Sequence, residues 1–272
     1  MDAGHRSHAF FVGLPSALSA ALLIATVFWG CSMNDLSAAE FFDGRHLQAA
    51  QAIKSGNIEH LRLAAQALEI DKPGRKEMTL LWFAIMNKNF EAIRVLVRLG
   101  SNPSEQVAQG LGIPIDYALL NKDPRFLTAM LDGGLSVNFV TASAHRSLLH
   151  KAAGAFGATI DHVKILVTRG ADLELPDALG ETPLLSAIFT NQPDRASYLV
   201  ERGAKVDVYT VRGVTPAWAV KSAIESQQLG SPMRRDLEGL RDRMIAHGAK
   251  FPPDPPEKVR AWMKTQGMEV AE

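Results

Sequence analysis

The side chains that most often carry chemistry are scattered along this sequence rather than assembled. Its only cysteine, Cys31, follows Gly30 at the end of a charge-free run from Phe10 to Trp29. A single thiol excludes any intrachain disulfide, so stability has to come from packing. His145 and His150 lie five apart across a turn-to-helix junction, a poor geometry for a shared metal. There is no His-Glu metal pair at helical spacing, no glycine loop that would cradle phosphate, and no Ser or Cys nucleophile in a recognisable elbow. No catalytic residue, metal ligand or cofactor is therefore assigned, and the chain is not expected to be an enzyme. The 29 Lys and Arg balance the 29 Asp and Glu, so no basic field exists to gather phosphate backbones and nucleic acid is not an expected partner.

The elements that must position whatever these residues do are legible as a repeat. Of 272 residues, 47% are hydrophobic and 21% charged, which is enough for a sizeable core. Ser147-Leu148-Leu149-His150-Lys151-Ala152-Ala153 leads to Leu166-Val167-Thr168-Arg169-Gly170-Ala171-Asp172, and Thr182-Pro183-Leu184-Leu185-Ser186-Ala187-Ile188 leads to Leu199-Val200-Glu201-Arg202-Gly203-Ala204. Weaker copies open at Thr79, Ile113 and Thr215, giving steps of 34, 34, 35 and 33 residues. A Thr or Ser before Pro suits a helix start, because the hydroxyl can cap a free amide and proline fits the first turn. A glycine after the second helix can take the left-handed conformation that ends it.

On these residues the chain resembles the ankyrin-repeat family, whose units open with T-P-L-H-x-A-A and close with L-L-x-x-G-A-D. The resemblance implies an all-α fold: an ankyrin-repeat solenoid of about six helix-turn-helix units with short β-hairpin fingers. His150 then reads as structural, bonding within its repeat.

In chain order, residues 1–31 read as an export signal. Gly30-Cys31-Ser32 resembles the end of a bacterial lipobox, which implies acylation of Cys31 and a membrane-anchored, periplasm-facing protein. Phe28 and Trp29 depart from that pattern, and the rival site Ser37-Ala38-Ala39 would instead release a soluble periplasmic protein after Ala39. Residues 32–45 are expected to be a tether, 46–251 the repeat domain with a capping unit from His46, and 252–272 a proline-rich stop followed by a helix covering the last repeat's apolar face. Two repeats carry extra residues between their helices, around Gly154 to Thr159 and around Ser226 to Arg235. Such insertions are expected to map to loops and either mark where function departs from the scaffold or are simply tolerated, and Gln227 to Pro232 is turn-like and flanked by helix formers.

The family binds proteins on its concave side, so the resemblance implies a protein partner. Carried over by position, the helix site after the T-P-L-H tetrad offers Phe83, Tyr117 and Lys151, and the fingers offer Phe139, Val140, Leu175, Tyr209 and Arg212. Exposed aromatics and arginine are the side chains that most often carry binding energy. The chain further resembles exported bacterial ankyrin proteins that neutralise type VI secreted lipase effectors as immunity proteins. The alternative is a periplasmic scaffold or stress-protection protein.

Overall fold

The computed structural model describes residues 36–105, 108, 110–141, 144–155 and 157–271. The export run and Cys31 lie outside them. Fourteen α-helices are present among the described residues. A short helix, α1 (Ala38–Phe41), precedes six pairs: α2 (Gly44–Ser55) with α3 (Ile58–Ala65), α4 (Leu80–Met86) with α5 (Phe90–Arg98), and α6 (Pro114–Leu120) with α7 (Arg125–Asp132). Then follow α8 (Leu148–Gly154) with α9 (Ile160–Thr168), α10 (Pro183–Phe189) with α11 (Pro193–Glu201), and α12 (Pro216–Ser226) with α13 (Pro232–Ala246), and α14 (Pro256–Thr265) closes the chain. The first helix of each pair forms an inner row and the second an outer row, and one continuous core runs between them. This is the ankyrin solenoid implied by the repeat.

The local rules recur from pair to pair. Thr79 and Thr215 accept the amides of Trp82 and Trp218 at their helix starts, and prolines occupy the first turns of α10 and α12. Each outer helix of pairs two to six ends the same way. Gly100, Gly134, Gly170, Gly203 and Gly248 sit at φ of +84 to +109°, where a side chain would be strained. The next amide then returns to a carbonyl one turn inside the helix: Ser101 to Leu96, Leu135 to Met130, Ala171 to Leu166, Ala204 to Leu199 and Ala249 to Met244. Those five acceptor residues are all fully buried, so the cap and the core knob are set by one residue.

Four expectations need correction. The fingers are not β-hairpins: only two isolated bridges, Ala108 with Gly112 and Val140 with Ser147, occur among the described residues. The fingers are tied to one another mainly by side chains, with Asp71 accepting from Ser101 and Asn102, Asn138 from Asp172, and Glu174 from Lys205.

The described part of the tether is packed structure. Leu36, Ala38, Phe41 and Phe42 are buried, and Arg75 and Lys76 hold Ala39 and Glu40 from the neighbouring loop.

The extra residues of repeat six lengthen its helices instead of forming a loop, since α12 runs to Ser226 and α13 begins again at Pro232. Arg234 crosses the short turn to bond the carbonyls of Ile224 and Gln227.

Helix α14 seats on the last finger rather than on the apolar face of repeat six. Tyr209 meets Trp262 edge-on at 5.5 Å, Arg260 bonds the Arg212 carbonyl, and Ala271 donates to Val211.

Candidate partner-binding surface

An inner helix has a neighbour on either side and an outer helix behind it, so little of its surface meets solvent. In α4 every residue from Leu80 to Met86 is buried, and in α10 every residue but Phe189. The position four after each repeat opening therefore points partly into the stack. Phe83 is fully buried, with the Phe41 and Phe42 rings at 6.2 and 5.6 Å. It is a core residue, which corrects the expectation that it faces a partner.

Tyr117 is half-buried between Trp82 and Phe126, at 5.5 and 5.3 Å, and burial pushes its hydroxyl pKa up. Lys151 is half-buried and pairs with Asp116 at 2.5 Å. Phe139 packs against the core, Val140 bridges to Ser147, and Leu175 is half-buried. Tyr209 is half-buried against α14 and bonds the sulfur of Met268 at 3.2 Å, whereas Arg212 is exposed. The eight residues are thus spread over the stack and the fingers, and most are occupied within the chain.

Solvent reaches the inner row at its helix ends, three residues further on. Leu120 is 54% and Phe189 46% exposed at the last positions of α6 and α10, and Ser222 is exposed at the equivalent place in α12. Between α10 and α12 this strip opens into a groove of about 310 Å³, lined by Ile188, Phe189, Val214, Trp218 and Ala223 with Asn191, Ser222 and Ser226 as its polar groups. Lys221 stands 4.9 Å over the Trp218 ring and pairs with Glu225 at 2.9 Å, so the rim is charge-balanced. Position-by-position carry-over missed Phe189. The available signal was an aromatic at the final position of an inner helix, directly before the Thr190-Asn191 turn.

A second hollow of about 460 Å³ lies beside α12 and α13, with Ile224, Ile245, Phe251, Pro252 and Pro253 as its apolar lining. Its cations are already matched: Lys221 with Glu225, Arg234 with Glu238 and Arg241 with Asp242. Among the described residues no group of three or more His, Cys, Asp or Glu is placed to hold a metal, and no helix is long and apolar enough to cross a membrane.

The polar clusters serve the scaffold. Asp177 is buried in the finger, where it accepts from Leu179, Glu181 and Arg146. Burial and the nearby Asp177 push the Glu181 carboxyl pKa up, and Arg146 at 3.1 Å opposes that shift. Arg195 is buried with its guanidinium donating to the carbonyls of Ala152, Ala153, Ala155 and Ala158, which pins the lengthened loop of repeat four. Burial lowers its pKa.

Comparison with known proteins agrees with this architecture. Residues 115–210 match the family model for ankyrin repeats in three copies. Protein PhlB of Serratia liquefaciens is 28% identical over 152 residues, a match that spans 56% of this chain and 66% of the relative's length. Among solved structures, the ankyrin repeat domain of Bcl-3, a member of the IkappaB protein family, aligns at TM-score 0.53 and 20% identity, covering 80% of this chain and 97% of that one. An ankyrin repeat domain from Acinetobacter baumannii AYE aligns at TM-score 0.55 and 20% identity, covering 74% and 98%.

Proposed function

We propose that this chain, an ankyrin-repeat protein-binding module, acts by holding a partner protein stoichiometrically against the inner-helix face of repeats five and six. The observation that carries the reading is the groove where Phe189 and Trp218, from neighbouring inner helices, stand partly in solvent. Half-exposed aromatics over an apolar floor are suited to become desolvated anchors, each contributing roughly 2 kcal/mol or more at the centre of an interface of about 1,200–2,000 Å². Occlusion of this kind needs shape and anchors and no reacting group.

The finer reading is neutralisation of a secreted antibacterial lipase as an immunity protein. It is supported by the resemblance of the sequence to exported ankyrin proteins of that role and by the absence of any assigned catalytic set. The same reading puts the chain on the periplasmic face of a membrane, held by acylated Cys31. Release at Cys31 is favoured over release after Ala39 because the latter would discard Leu36 and Ala38, which are buried, and the Leu36 carbonyl that accepts from Lys54 at 2.9 Å. The experiment is to direct the candidate lipase effector to the periplasm with this protein, with its Trp218→Ala variant, or alone. Survival with the unmodified protein and death in the other two arms is expected. Equal death in all three, with no complex isolated, leaves the scaffold reading.

A further inference from the structure

The fingers are joined in an order that α14 continues. In the finger before α10, the Ala178 amide donates at 3.2 Å to the carbonyl of Ala144 in the preceding finger; before α12, the Val211 amide donates at 3.0 Å to Leu179. Each acceptor is the third residue before a helix opening, Ser147 or Thr182. The third residue before Thr215 is Arg212, and its carbonyl takes the Arg260 side chain of α14, whose Nη1 donates at 2.9 Å. Beside it, the Ala271 amide donates to the Val211 carbonyl at 2.9 Å. The glycines agree. A Cβ on Gly180 would stand 3.4 Å from Thr210 Cα and the Val211 nitrogen of the next finger, and one on the equivalent Gly213 would stand 2.5 Å from the Pro256 carbonyl oxygen and 3.1 Å from the Arg260 nitrogen. Residues 256–271 therefore lie where a next finger would stack.

That segment is held by the finger edge and by little else. Between Pro256 and Ala271 only Met263 is buried, and Met263 is not part of the continuous core between the helix rows. Trp262 is 48% exposed even though its ring meets Tyr209. Letting the segment go therefore leaves the core closed and uncovers Tyr209 with two backbone acceptors. We propose that the edge formed by Tyr209, Val211, Arg212 and Gly213 is a second protein-binding site. It takes a peptide segment that brings a cationic donor to the Arg212 carbonyl, a backbone N–H to the Val211 carbonyl and an aromatic or thioether side chain to Tyr209, and residues 256–271 occupy it as a displaceable strap.

The strap itself shows what the edge recognises. Arg260 supplies the cationic donor, Ala271 the backbone N–H, and Trp262 and Met268 the side chains on Tyr209, with the Tyr209 hydroxyl 3.2 Å from the Met268 sulfur. An edge of unused backbone groups flanked by a side-chain seat is the general basis on which an added segment is bound, the backbone bonds giving affinity and the seat selecting the side chain. Gly213 is what lets a second backbone come this close. The link back to repeat six is short, Pro252 to Pro255, and Asp254 in it pairs with Lys250 at 3.2 Å and Lys258 at 2.7 Å on the exposed surface. A strap so tethered returns to its seat at an effective concentration in the millimolar range. A partner segment displaces it by making further contacts on the array.

The test uses the full chain and its Arg260→Ala, Trp262→Ala double variant, with a fluorescent synthetic peptide of residues 256–271 as the probe. The double variant should bind the peptide one to one, and the unmodified chain should bind it at least about tenfold more weakly, because its own strap competes for the seat. A peptide carrying the same two substitutions should bind neither chain. In hydrogen exchange, the double variant should lose protection at residues 257–266 while residues 183–246 keep theirs. Equal peptide binding by the two chains, no binding by the folded double variant, or loss of protection that spreads into repeat six overturns the proposal. If the double variant does not fold, exchange in the unmodified chain decides: amides at 257–266 that open before those of 216–246 support the strap, and amides that open only together with them overturn it. No partner of the groove between α10 and α12 enters the experiment, so its failure leaves that reading standing.

Discussion

From α1 through repeat three the aromatic side chains are packed on one another, with Tyr117 and Phe90 half-buried and the rest buried. Phe41, Phe42 and Phe83 pack on one another, and Trp82, Tyr117, Phe126 and Phe90 form a second chain of edge contacts at 5.0 to 5.5 Å. In repeats five and six, Phe189 and Trp218 line an open groove with no ring packed against them among the described aromatic contacts. The residue types are alike and the helices are equivalent. What differs is the covering: α1 brings two phenylalanines over the inner row at its N-terminal end, whereas α14 turns away to the fingers and leaves the groove uncovered. An aromatic side chain becomes a candidate anchor through what fails to cover it, and its identity alone does not decide between core and interface.

The comparison is broken most severely by emptying the covered end. Phe83→Ala should cost about 3–5 kcal/mol of stability, because a fully buried ring leaves a cavity that Phe41 and Phe42 cannot fill, and denaturant unfolding measures it. Arg195→Met should cost on the order of 2 kcal/mol, from four carbonyls left short of a donor, partly offset by removing a desolvated charge. Hydrogen exchange should show the loss first in the loop around Gly154 to Thr159. Trp218→Ala should instead weaken partner binding by about 2 kcal/mol while changing stability by less than about 1 kcal/mol. If it unfolds the chain as Phe83→Ala does, the two ends are not different in kind. Smallest of all, Lys164→Ala on the outer row should stay within about 0.5 kcal/mol in both stability and binding.

The stack itself was legible in the sequence, because its period is written by residues with strict local roles: the capping hydroxyl at Thr79, Ser147 and Thr215, and the glycine at Gly100, Gly170 and Gly248. The candidate surface was much less so. Phe83 and Tyr117 occupy the position that the family resemblance singles out, yet their burial depends on Phe41 and Phe42, about 40 residues upstream, and on the packing of Phe126. Contacts between distant segments leave no periodic mark. Tyr209 was lost as a free finger residue for the same reason, since only the return path of α14 places Trp262 and Met268 beside it. The long helices of repeat six were partly legible, since helix formers flank the turn. Gln227 to Pro232 does turn, as its composition suggests, but the flanking residues continue as helix instead of remaining a loop.

The central claim is that a partner protein is held at the groove between α10 and α12. Its most direct test is calorimetric titration of the purified chain against the candidate lipase effector, using the unmodified protein, Trp218→Ala and Lys164→Ala. The account predicts one-to-one binding that Trp218→Ala weakens about thirtyfold, the equivalent of 2 kcal/mol, and that Lys164→Ala leaves unchanged. Binding that ignores Trp218→Ala and is abolished by Lys164→Ala would contradict it.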